Sequence, residues 1–250
     1  MKTALLFSLF VLIGLSTTAQ QHWLNKGGGA GNDEAQDMVR DANGDLYLTG
    51  YFQFGAAFGS INLVGEGDTD IFVAKVSGTT GQYLWVKRFG GPNADGGIAI
   101  AMVPGGGVAV TGFFNGQATF GTQQVNAVAA SEDIFVLRLD ANGDVVWVRT
   151  GGGPGSDIPY DIACDPTGNI VATGAFKGAA TFSGQAMVSI TDPIAMEPSY
   201  DIYILKYAPT GTLSWGLQGA AEYEDRGMTI ATDQQSNIYV GGAVLRHHHL

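Results

Sequence analysis

Short runs of alternating apolar and polar residues dominate the chain. Asp45-Leu46-Tyr47-Leu48-Thr49, Asp70-Ile71-Phe72-Val73-Ala74-Lys75 and Gln82-Tyr83-Leu84-Trp85-Val86-Lys87 have the length and residue types of strands. Asn43-Gly44, Asn142-Gly143 and Thr210-Gly211 stand between such runs as tight-turn signals. Beyond residue 20 no stretch keeps a helical period over three turns. The pattern predicts an all-β chain.

The runs recur. The four Trp residues fall at Trp23, Trp85, Trp147 and Trp215, with spacings of 62, 62 and 68. A Gly follows each by 27 residues, at Gly50, Gly112, Gly174 and Gly242. Seventeen residues before each Gly stands an Asp, at Asp33, Asp95, Asp157 and Asp225. Phe58, Phe120 and Phe182 follow the first three Gly by eight residues. An Asp-Ile-aromatic triplet comes later, at Asp70, Asp133 and Asp201. Gly-rich strands at a fixed period mean a β-propeller or a β-solenoid. A period near 62 is too long for one solenoid coil and suits a four-stranded blade with an extra hairpin or long loop. The expected fold is an all-β β-propeller of about 62-residue repeats, an incomplete, open array of three and a half repeats. The repeats run about 24–85, 86–147 and 148–215, with a partial one over 216–250.

These residues resemble a known family. Gly-x-Asp, then Asp-x-x-Gly-x-aromatic-x-Thr-Gly-x-Phe, Asp-Ile-Phe-x-x-Lys and Gly-x-x-x-Trp are similar to the SBBP-type β-propeller repeats of secreted bacterial proteins. The resemblance covers nearly all of residues 22–244 and implies an extracellular binding or adhesion module. Asp140-Ala141-Asn142-Gly143 with Trp147 also resembles quinoprotein propeller repeats, more weakly and without cofactor chemistry.

The first twenty residues read as a secretory signal peptide. Lys2 precedes an apolar run over 4–15, and Thr17 and Ala19 take the −3 and −1 positions of a cleavage site. Cleavage near Ala19 would leave 21–250 as the repeat domain, secreted or at the cell surface. No later run is long enough for a transmembrane helix. A formal charge of −11 argues against nucleic acid as a partner. One Cys excludes an intramolecular disulfide framework.

Candidate chemistry is sparse. The recurrent Asp residues could bind cations or sugars, but a residue every repeat carries is more simply a loop acceptor for backbone N–H groups. Asp41, Asn43 and Asp45, with Asp140, Asn142 and Asp144, resemble the first half of a calcium loop. Phe52 and Gly151 stand where its bidentate Glu belongs. Calcium is thus the one cofactor candidate, and hairpin turns explain the same residues. Lys75, Arg138 and Lys206 recur five residues after the triplet Asp and suit blade-internal ion pairs. Cys164 reads as a small buried hydrophobe rather than a nucleophile, with no His nearby. His247, His248 and His249 read as loop filler rather than a metal site. No catalytic motif occurs. The one non-repeating polar cluster is Glu222, Glu224, Asp225 and Arg226, beside an insert near Glu197.

The expected function is a secreted, non-enzymatic module binding an extracellular protein or glycan. The alternatives are a secreted propeller enzyme, either a polysaccharide lyase or quinoprotein-like, and a structural spacer. Open edge strands would also favour self-association.

Overall fold

The computed structural model describes residues 23–129 and 131–244. The leader, His22, the His247–His249 cluster and Leu250 lie outside the described residues.

Twenty-one strands and no helix are found there. In the first repeat β1 (Gly27–Gly29) precedes β2 (Glu34–Arg40), β3 (Leu46–Phe52), the hairpin β4 (Gly55–Phe58) and β5 (Ile61–Val64), then β6 (Asp70–Val76) and β7 (Tyr83–Phe89). The second repeat gives β8 (Gly96–Met102), β9 (Val108–Asn115), the hairpin β10 (Gln117–Phe120) and β11 (Gln123–Asn126), β12 (Glu132–Leu139) and β13 (Val145–Gly152). The third gives β14 (Asp157–Cys164), β15 (Ile170–Lys177), the hairpin β16 (Ala179–Phe182) and β17 (Gln185–Val188), β18 (Tyr200–Tyr207) and β19 (Leu213–Gly219). β20 (Asp225–Thr232) and β21 (Ile238–Val244) begin a fourth.

Each full repeat forms a four-stranded antiparallel blade: β2-β3-β6-β7, β8-β9-β12-β13 and β14-β15-β18-β19. The first strands lie innermost, with β2 packed against β8, β8 against β14 and β14 against β20. The architecture is that of a β-propeller-like repeat array. Among the described residues no strand pairing joins β20 or β21 back to the first blade.

The period is long because each repeat carries a hairpin that joins the preceding blade. β16 pairs with β13, so that β16 and β17 extend the second blade's sheet. Gly90, just past β7, exchanges both backbone hydrogen bonds with Thr119 of β10. β4 pairs with β1 in the same way. The ends of β1, β7 and β13 are therefore capped by the next hairpin, which leaves fewer unpaired N–H and C=O groups there, while among the described residues nothing pairs beyond β19.

The Trp residues form a second link between neighbours. Trp23 Nε1 donates to Gly78 O at 3.1 Å, Trp85 Nε1 to Ala141 O at 3.1 Å and Trp147 Nε1 to Pro209 O at 2.9 Å. Each indole lies on the turn of the next blade's last hairpin, against Gly81, Gly143 or Gly211. These turn glycines have φ of 71°, 79° and 82°, and a Cβ there would also meet the indole at 2.5–3.0 Å. Sequence reasoning expects Trp85 and Trp147 both to be largely buried. Trp147 is 4% exposed, but Trp85 is only half-buried. Arg149 stacks over Trp147, whereas the corresponding Lys87 turns away to Asp144.

The recurrent Gly residues sit opposite a β-bulge. Each innermost strand is bulged, at Ala35/Asp37, Gly97/Ala99, Pro159/Asp161 and Gly227/Thr229. The bulge pushes a carbonyl against Gly50, Gly112, Gly174 or Gly242, where a Cβ would come within 1.9–2.1 Å of it. The adjacent Thr49, Thr111 and Thr173 hydroxyls donate to Phe72, Phe135 and Tyr203 carbonyls, which satisfies them inside the sheet.

The insert of the third repeat, 191–199, is an exposed loop between β17 and β18, closed by a Thr191–Pro198 bridge.

Candidate functional site

The recurrent loop Asp residues are bonded to backbone. Asp33 accepts from Gly29 and Gln53, Asp95 from Gly91 and Asn115, Asp157 from Gly153, and Asp225 from Ala221. The triplet Asp residues do likewise: Asp70 accepts from Glu66 N, Asp133 from Val128 N and Asp201 from Ile190 N. The two sets meet at the blade junctions. A Cβ on Gly90 would lie 2.6 Å from Asp95 Oδ2 and 3.2 Å from Asp70 Oδ1. A Cβ on Gly152 would lie 2.6 Å from both Asp133 Oδ1 and Asp157 Oδ2.

Burial raises the carboxyls of Asp95, Asp133, Asp157 and Asp201, because a buried carboxylate loses its hydration. Asp95 is pushed up to about 7, Asp133 to about 6 and Asp157 to about 8, the last with added repulsion from Asp133. A carboxyl whose folded pKa lies above its unfolded value binds more protons when folded, so stability falls as pH rises through that interval. For Asp157 the interval runs from about 4, the ordinary carboxylate value, to about 8. The melting temperature is therefore expected to rise as pH is lowered from 8.5 to 5.5. Asp157→Asn, which is neutral throughout, should flatten that slope. A melting temperature that falls over the same interval in the native chain would contradict a raised Asp157 carboxyl in the folded state.

The calcium candidates form turns. Asp41 Oδ1 accepts from Asn43 N and Asp45 N, and Asp140 Oδ1 from Asn142 N and Asp144 N. Lys75 Nζ stands 3.4 Å from Asp41 Oδ2 and 3.2 Å from Asp45 Oδ2. Lys206 makes the same kind of pair with Asp165 at 3.1 Å. Arg138 instead donates to Gly106 O, since Val103 replaces the turn Asp in its blade. Among the described residues no group of three or more His, Cys, Asp or Glu side chains is placed to hold a metal. The Cys164 thiol is partly buried and pushed up to about 12 by desolvation, so it is protonated near neutral pH.

The non-repeating cluster acquires partners that are distant in sequence. Arg226 Nη2 donates to Glu224 at 2.9 Å and Nη1 to the Tyr160 hydroxyl at 3.3 Å. Its guanidinium lies 5.3 Å from the Tyr200 ring centroid, and Lys177 Nζ lies 5.9 Å from the same ring. Lys177 also approaches Glu197 of the insert at 4.0 Å. Asp225 is buried beneath as a loop acceptor. Strands β14, β15, β18 and β20 thus bring Tyr160, Lys177, Tyr200 and Arg226 to one partly exposed patch between the third and fourth blades. Their counterparts at the preceding junction are Ile98, Asn115, Glu132 and Ile158, so the patch does not recur there. Sequence reasoning found Arg226 and Glu224 but missed Tyr160, Lys177 and Tyr200. The available signal was their departure from the residue types of the matching positions.

No family model matches the chain. The chain is similar to an uncharacterized WD repeat-containing protein of Acanthamoeba polyphaga mimivirus, 25% identical over 193 residues. The match covers 66% of this chain and 14% of that protein, so the chain spans a small part of its relative's length. The relative's repeat character agrees with the blades described above. Among the described residues no helix is long and apolar enough to cross a membrane.

Arg226 and Lys177 share one aromatic ring, an arrangement that holds cations and planar groups in place. No nucleophile–base pair is assembled among the named residues of the patch.

Proposed function

We propose that the chain is a non-enzymatic interaction module, of the SBBP-type class, exported by its leader and working at the cell exterior on a protein or glycan partner. The observation that carries this reading is the patch of Tyr160, Lys177, Tyr200 and Arg226. There, residues outside the repeat rule gather at a surface that also carries the insert. Aromatic and Arg side chains are the types that contribute most at binding surfaces. The WD repeat designation of the mimiviral relative is consistent with an interaction role.

Probing immobilised extracellular proteins and glycans with residues 21–250 tests the reading. Saturable binding to a component, weakened at least about tenfold by Tyr200→Ala or Arg226→Ala, supports it, tenfold being the effect of about 1.4 kcal/mol. Turnover of a polysaccharide by the same preparation, abolished by those substitutions, would replace it with the enzymatic alternative.

A further inference from the structure

The three blade junctions differ in how they treat the triplet Asp. At the first, Arg88 Nη1 donates to Asp70 Oδ1 at 2.7 Å, and Nη2 reaches Glu66. At the third, Gln218 Nε2 donates to Asp201 Oδ2 at 2.6 Å and Ser199 Oγ to Oδ1. Arg88 and Gln218 each stand three residues after the recurrent Trp. At the second junction that position is Thr150. Asp133 Oδ1 there has no hydrogen-bond partner, although Asp133 is only 2% exposed.

A cavity of about 450 Å³ opens at this point. Asp133, Thr150, Gly152, Asn126, Met187 and Val188 are among its lining. The volume accommodates a long side chain. The second junction therefore has an unmet acceptor, a neighbouring carboxyl in Asp157 and a cavity that Asp133 lines, whereas at the first junction the triplet Asp is bonded to a guanidinium.

We propose that this cavity is a subsite for an arginine side chain of a protein partner, with Asp133 as the acceptor that Asp70 provides for Arg88. The patch around Tyr200 lies at a different junction, so the subsite does not depend on it. A guanidinium suits the place because its planar N–H donors match carboxylate oxygens. The pairing is made in a partly desolvated cavity, where an unpaired carboxylate is costly and a charged partner gains most. The chain's formal charge of −11 also favours the approach of a cationic partner.

The test uses N-acetyl-arginine N-methylamide as probe and its uncharged citrulline analogue as control, followed through the backbone amide signals of Val128, Gly152 and Gly153. The arginine compound should produce saturable shifts at these amides, with at least about tenfold weaker binding of the citrulline compound, since hydrogen bonds between charged groups are the stronger ones. Thr150→Arg should place an internal guanidinium on Asp133, raise the melting temperature and abolish the response. Asp133→Asn should abolish the response while retaining a dispersed spectrum. Equal responses to the two compounds, or no saturable response, would overturn the proposal. So would saturable shifts at the same amides with calcium chloride in place of the arginine compound, which would make the cavity a metal site.

Discussion

Replacing Trp147 by Ala should destabilise the chain by about 3–5 kcal/mol, the range for truncating a large buried aromatic residue. The indole is 4% exposed, donates to Pro209 O and lies against Tyr207 at a centroid distance of 5.9 Å. Arg149 stacks on it and donates to Gly211 O, so the truncation also removes the support of that guanidinium. The same substitution at Trp85 should cost less, because that ring is only half-buried. Urea unfolding of both variants checks the order. A loss below about 1 kcal/mol at Trp147 would mean that its packing is not what holds the second and third blades together.

Gly112→Ala should cost about 3 kcal/mol, the upper part of the usual range for forcing extra atoms into a packed site. A Cβ at this position would stand 2.1 Å from Gly96 O and 2.7 Å from the Phe135 ring. Neither neighbour yields easily, since the carbonyl belongs to the innermost strand and Phe135 is fully buried. Gly55→Ala is the control: the nearest atom to a Cβ there is 3.4 Å away, and the change should lie within about 0.5 kcal/mol of neutral. Similar losses at both positions would show that glycine content, rather than the bulge at Gly97/Ala99, sets the requirement.

The blade plan was legible because each repeat solves the same packing problem with the same residues. Trp at a fixed interval, Thr-Gly in the second strand and the Asp-Ile-aromatic triplet all mark positions with one allowed shape. The partner of each Trp was not legible, since Gly81, Gly143 and Gly211 belong to the following blade and look like ordinary turn glycines. The period called for an extra hairpin or a long loop, but the pairing with the preceding blade was not legible, because β4, β10 and β16 are only four residues long. The Asp pairs were hidden for a related reason. Asp133 and Asp157 stand 24 residues apart, on opposite sides of a blade boundary, and meet only when the outer strand β13 passes between them. Arg88, Thr150 and Gln218 were in plain view at one offset from Trp. Their difference acquires meaning only once that position is seen to face the triplet Asp.

Neighbouring blades share strands: the hairpins of the second and third repeats pair with the ends of the outer strands before them. Native-state hydrogen exchange at Gly90 and Thr119 tests it most directly. Thr119 N donates to Gly90 O at 2.9 Å and Gly90 N to Thr119 O at 3.2 Å, across the first blade junction. With the hairpin integral to the blade, both amides exchange only through openings as costly as those that expose the core amides of β12, because an integral pairing opens with its cooperative unit. Exchange of Gly90 and Thr119 at near-unprotected rates, while β12 remains protected, would contradict it and leave the hairpins as loosely attached loops.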